Sequence, residues 1–155
     1  MKKQSDKKDN NNQTKSFKKV IEEDLKLPVE LRKKLYNSKG FDNIEKVLRN
    51  GEKLRLVGMI CDDPRPQRKT KLSFVRNWFV VITDLRVLFV SPTLVLGDIE
   101  QLSIPYKSIT SASAGKWGSI DLNVAGSIFP IHFVLTGEYV NYQKEIVRII
   151  EDAIF

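Results

Sequence analysis

Five cations crowd one short stretch of this chain: Arg65, Arg68, Lys69, Lys71 and Arg76, offset by Asp62 and Asp63. Guanidinium and ammonium groups on one flexible loop can supply several charge-assisted hydrogen bonds to phosphate oxygens. The same run also reads as a solvated hairpin whose charges keep a sheet edge from aggregating, the commoner fate of a charge run. A second candidate is Gly115-Lys116-Trp117-Gly118. An indole at a turn tip beside a lysine can enter a lipid interface or anchor a protein partner. Alternatively, Trp117 folds back over the end of the fold, as large aromatics usually do.

Catalytic chemistry is poorly supplied. His132 lies between Ile131 and Phe133 in an expected strand, where alternation turns it toward solvent, away from any assigned nucleophile. Cys61 sits beside Asp62 and Asp63, the wrong setting for a reactive thiol. One cysteine and one histidine fall short of a structural zinc site, and two adjacent loop carboxylates more often solvate the loop than hold a cation. No phosphate-binding glycine loop or zinc-protease motif occurs. The expectation is a non-enzyme with no cofactor and no metal.

The charge distribution narrows the choice of partner. The chain has 155 residues and a net charge of +7. Residues 1–16 carry +3, residues 17–50 another +3, and the remaining 105 residues only +1. A uniformly basic nucleic-acid-binding domain is therefore disfavoured, and the basic segments lack the interleaved aromatics that stack on bases. No apolar run follows the basic start, so no secretion signal is expected. The longest apolar run, Trp78 to Ile82, is far too short to span a bilayer. A single cysteine excludes an intramolecular disulfide and suits a reducing compartment. These readings place the chain in the cytoplasm, with peripheral membrane contact as the alternative.

Three segments must position the candidate groups. Residues 1–16 are almost devoid of apolar side chains and read as a disordered basic tail. Residues 17–50 read as a helical extension. Ser16 is a candidate cap for a helix with Phe17, Val20, Ile21 and Leu25 on one face. Pro28 opens a second helix containing Val29, Leu31, Leu35 and Tyr36, and Asp42 caps a third over Asn43 to Leu48. From residue 51 the pattern turns to strands at Leu54–Ile60, Phe74–Thr83, Arg86–Val90, Ile99–Ile104, Ile109–Ala114, Ser119–Val124 and Ile128–Leu135. Pro92 and Gly97 bracket one of the intervening loops. A last helix follows Thr136, with Tyr139, Tyr142, Ile146, Ile149, Ile150 and Ala153 at helical spacing. The fold expected for residues 51–155 is mainly β: a seven-stranded antiparallel barrel or sandwich closed by an amphipathic helix.

Three local segments carry a family resemblance. Asn50-Gly51-Glu52-Lys53-Leu54, the hairpin Phe79 to Val90 around Thr83-Asp84-Leu85-Arg86, and Ile104-Pro105-Tyr106-Lys107-Ser108-Ile109-Thr110-Ser111 occur in that order. The chain thereby resembles the YokE-like bacterial pleckstrin-homology (PH) family over roughly residues 47 to 155. The resemblance implies a binding module, with the loop between the first two strands as the anion pocket of lipid-binding members. The basic Lys-x(n)-Lys/Arg-x-Arg pattern of such members is loosely matched by Lys69, Lys71 and Arg76. Asp84 and Arg86 read first as fold-specifying: Asp84 can accept backbone N–H groups at the turn, and Arg86 can give its donors to a carboxylate or carbonyl at the strand entrance. The expected partner is a protein or peptide. The alternatives are an anionic membrane, met through the first loop and Trp117, and an adaptor or homo-oligomer built on the N-terminal helices.

Overall fold

The computed structural model describes residues 17–155 apart from 20, 23, 24, 26, 62 and 66–76. Helical residues at 17–19 and 21–22 lead to α1 (Val29–Tyr36) and α2 (Phe41–Val47). The strands are β1 (Leu54–Ile60), β2 (Trp78–Thr83), β3 (Arg86–Val95), β4 (Asp98–Pro105), β5 (Ile109–Ala114), β6 (Ser119–Val124) and β7 (Ile131–Val134), and α3 (Gln143–Ile154) ends the chain. They form two antiparallel sheets, ordered β1-β2-β3-β4 and β5-β6-β7. Among the described residues a single bridge, Ile60 to Leu135, joins the sheets, which do not close into a barrel. The result is a sandwich with a C-terminal helix, the arrangement that the PH resemblance implies.

Burial explains why the two sheets read so differently in sequence. All of β2, and β3 from Arg86 to Pro92, are buried residue after residue. Such strands are covered on both faces and lose the alternating pattern. By contrast β7 alternates buried and exposed positions, as a half-solvated sheet should, and β5 buries only Ile109 and Ala112, with a bulge between Ile109 and Ser111. Helix α3 packs Ile146 and Ile150 into the core, with Tyr139 from the 3₁₀ segment before it; Ala153, read as part of the same stripe, is exposed. That 3₁₀ segment, Gly137–Tyr142, separates Thr136 from α3, so Thr136 caps no α-helix.

The N-terminal helices supply the second cover. Ile21, Leu31, Leu35, Phe41 and Ile44 are buried in one cluster with the strands. The Tyr139 hydroxyl donates to the Leu31 carbonyl, and the Asn43 amide donates to the Ser91 carbonyl. Gly40, not Asp42, holds the N-cap position of α2, with φ of 83°. A Cβ there would stand 2.4 Å from Pro92 Cα, so only glycine lets the α1–α2 turn meet β3. Ser16 and Val20 lie outside the described residues, as do residues 74–76 of the second expected strand.

The clearest departures from the expected strand boundaries are at the end of β3 and the start of β7. β3 passes through Pro92 to Val95 because its pairing with β4 is irregular between Val90 and Leu94. A proline is tolerated where a bulge removes the ladder bond. β7 starts at Ile131 rather than Ile128, because Pro130 cannot donate to the ladder and the Ser127 hydroxyl turns back onto the Phe129 carbonyl.

Thr83, Asp84 and Arg86 join these parts. The Thr83 hydroxyl accepts the N–H groups of Leu85 and Arg86, each at 3.1 Å, and so shapes the β2–β3 turn. Asp84 reaches across instead, accepting the Lys53 N–H at 2.8 Å while donating its own N–H to the Lys53 carbonyl. Arg86 grips Glu52 with Nε at 2.8 Å and Nη2 at 3.0 Å, and also reaches Ser103 Oγ and the Val47 carbonyl. The Glu52 side chain is fully buried. Burial alone would raise its pKa, but hydrogen bonds from Arg86, the Arg49 N–H and Thr83 bring it from 4.5 down to about 2.

A carboxyl whose pKa falls on folding contributes stability above its unfolded value, and this contribution is lost as pH drops through the folded value. Acid titration of stability should therefore show a loss between 4.5 and about 2, and Glu52→Gln should abolish that component. At neutral pH the variant strands a buried guanidinium and should lose about 3 kcal/mol in a denaturant melt. Gly40→Ala, which combines a left-handed backbone with a clash against Pro92, should lose about 2 kcal/mol or more.

Candidate functional site

Three connections leave the same end of the sandwich. At this end β1 stops at Ile60, opposite Trp78 at the start of β2, and Phe79 pairs with Val90 of β3. The first loop and the β3–β4 hairpin therefore start from one edge of the four-stranded sheet. The β5–β6 turn is tied to that edge through the exit of β7. The Cys61 N–H donates to the Val134 carbonyl at 2.9 Å, and the Leu135 N–H donates to the Gly118 carbonyl at 3.0 Å. Gln143 Nε2 then donates to the Gly115 and Ser119 carbonyls, pinning the turn to the start of α3.

Of the candidate cations, Arg65 and Lys116 are described. Arg68, Lys69, Lys71 and Arg76 lie outside the described residues. Arg65 is held by its neighbours: Nη2 lies 2.6 Å from Asp63 and 3.4 Å from Glu100 of β4, and the guanidinium stacks 5.0 Å from the Trp78 ring centroid. This tethers the first loop to β2 and β4. Lys116 is exposed at the β5–β6 turn. Trp117 beside it does not fold back over the sandwich but is 89% exposed, with a left-handed φ of 60°. Gly118 follows with φ of 75°, and a Cβ there would lie 2.9 Å from Val140, so the turn packs tightly at its base while its tip stays open.

The rim also presents groups that alternation and charge did not single out. Leu94, Val95 and Leu96 are exposed at the β3–β4 tip, Leu96 at 99%. A cavity of about 320 Å³ lies beside the base of that hairpin, lined by Ser38, Lys39, Met59, Asn77, Pro92 and Thr93. The tip reads in sequence as part of a loop between Pro92 and Gly97; only the extension of β3 makes it a projecting turn.

Little here suits catalysis. His132 faces solvent, with Nδ1 2.7 Å from Asp121 Oδ1 on the neighbouring strand. The strand register places Asp121 between Ser113 and His132. Serine and imidazole are thus two strand spacings apart, about 10 Å, too far for the histidine to take the hydroxyl proton. Cys61 is a free thiol. Among the described residues no cluster of His, Cys, Asp and Glu could hold a metal ion, and no helix is long and apolar enough to cross a membrane. A second cavity, of about 440 Å³, lies between α3 and the β2–β3 turn and includes Arg55, Asp84, Tyr106 and Arg148. Burial pushes the Tyr106 phenol up to about 12, and its hydroxyl is committed to the Thr83 carbonyl.

No protein-family model matches the sequence, and no curated protein matches it. Solved structures are similar in fold. A DUF1696 family protein with a pleckstrin-homology domain from Shewanella loihica PV-4 is 19% identical, with a TM-score of 0.45 over 70% of this chain and 91% of that one. A pleckstrin-homology domain from Shewanella amazonensis SB2B is 22% identical, with a TM-score of 0.43 over 71% and 94%. The N-terminal PH domain of human ARAP2 is 11% identical, with a TM-score of 0.47 over 64% and 77%. These neighbours carry PH domains; the two antiparallel sheets followed by a C-terminal helix seen here are the arrangement that the resemblance implies.

Proposed function

We propose that this chain is a non-enzymatic PH-like binding module of the YokE-like bacterial type, and that it docks on an anionic membrane surface. Residues 51–155 form the module, and residues 17–50 are a helical extension that covers its four-stranded sheet. The observation that carries the reading is the hydrogen-bonded junction of Cys61, Val134, Leu135 and Gly118. It ties the root of the basic first loop to the root of the turn bearing Trp117. Cations and an amphipathic aromatic on one rim are what an anionic lipid interface selects. The apolar faces of the N-terminal helices are already buried on the sheet, which disfavours assembly through them.

Sedimentation with vesicles tests this. The chain should bind phosphatidylserine-containing vesicles at low salt and phosphatidylcholine vesicles weakly, with high salt reducing the former. Trp117 emission should shift to the blue on binding, while Trp78, only 4% exposed, is a silent background. Trp117→Ala should weaken binding roughly tenfold, equivalent to ~1.4 kcal/mol. Equal binding to both vesicle types, or none, would return the rim to a protein or peptide partner. Arg65→Ala, which breaks the loop tether, should lower stability by about 1 kcal/mol in a denaturant melt.

A further inference from the structure

Among the described residues, two other than glycine have a positive φ: Leu96 at 52° and Trp117 at 60°. Both are large and apolar, both occupy turn tips, and they are 99% and 89% exposed. Left-handed backbone is costly for a residue with a Cβ, and bulky apolar side chains are rare there. Packing offers no return, because neither side chain touches the core. Leu96-Gly97 is a two-residue loop between the paired Val95 and Asp98, with both central φ values positive. That geometry favours Asn-Gly. A leucine in this position is strained and solvent-exposed, and an observed outlier of that kind points to function.

We propose that the β3–β4 tip, Leu94-Val95-Leu96, is a second apolar prong that enters the lipid interface alongside Trp117. This rests on the membrane reading above and extends it to a site no cation defines. The hairpin leaves the same end of the sandwich as the Trp117 turn. Lys116 adjoins one prong, and Lys39 lines the cavity at the base of the other. The base of the hairpin is stiffened by the N-terminal extension. The Gly40 backbone abuts Pro92, Asn43 holds the Ser91 carbonyl at 3.3 Å, and the Thr93 N–H donates to Ser91 Oγ at 3.2 Å. A braced hairpin presents its tip at little further entropic cost on binding. Asp98 follows the tip, so this prong acts through apolar contact and not through charge. Its contribution is therefore insensitive to salt, unlike that of the lysines.

Leu96→Asn separates strain from function, because asparagine suits the turn while removing the apolar tip. The variant should melt at the same temperature as the parent or higher. It should bind phosphatidylserine-containing vesicles about fivefold more weakly, by the same factor at low and high salt. In combination with Trp117→Ala the losses should multiply. If the parent chain binds vesicles and Leu96→Asn binds equally well, the prong is refuted while the membrane reading stands. If the parent binds no vesicle, both fall. A parent chain that is dimeric in solution and a Leu96→Asn variant that is monomeric would assign the tip to self-association and overturn the proposal.

Discussion

Glu52 and Arg86 form a buried ion pair at the point where four elements meet. Glu52 lies at the entry to β1 and Arg86 at the start of β3, and the guanidinium also reaches the end of α2 at Val47 and Ser103 of β4. Thr83 and the Arg49 N–H complete the shell around the carboxylate. A pair this dry is favourable only when its remaining donors and acceptors are filled, and here two hydroxyls and two backbone groups fill them. The arrangement fixes the N-terminal helices, the β2–β3 turn and the sheet edge relative to one another. Apolar burial, which has no direction, could not do this alone.

The end of the sandwich opposite that pair is held differently. There the Cys61–Val134 and Thr136–Met59 backbone bonds stitch the two sheets together, while the tips of the β3–β4 and β5–β6 turns stay in solvent. One end thus carries a saturated polar network, and the other combines a backbone junction with open turns. The N-terminal helices contribute to both, covering the buried sheet and pressing Gly40 against the base of the β3–β4 hairpin. They are part of the structure that holds the rim.

Positive φ serves different ends at two pairs of residues. At Gly40 and Gly118 it allows close approach, to Pro92 and to Val140, and the reason for glycine is steric. At Leu96 and Trp117 nothing is approached, and the strained residues face outward. The first pattern belongs to packing. The second lies where binding and catalysis usually reside, on loop tips supported by a rigid frame.

Much of the fold is legible in the residues themselves. The bounds of β1, β5 and β6 follow from strand-type residues and flanking turn residues, and the C-terminal helix follows from its apolar spacing, because these signals are local. The seven strands with a terminal helix also determine a mainly-β class closed by a helix, and three local segments carry the PH resemblance. Tertiary structure decided what local pattern cannot encode. It carried β3 through Pro92 to Val95, because an irregular pairing with β4 absorbs the proline. It made Thr83 the residue that shapes the β2–β3 turn and sent Asp84 to Lys53, since a hydrogen bond across strands depends on register. It gave Arg65 to Asp63, Glu100 and Trp78, and brought the Trp117 turn to the root of the first loop. Composition counts the charges and aromatics, whereas their neighbours are set by which strand ends the sheets bring together.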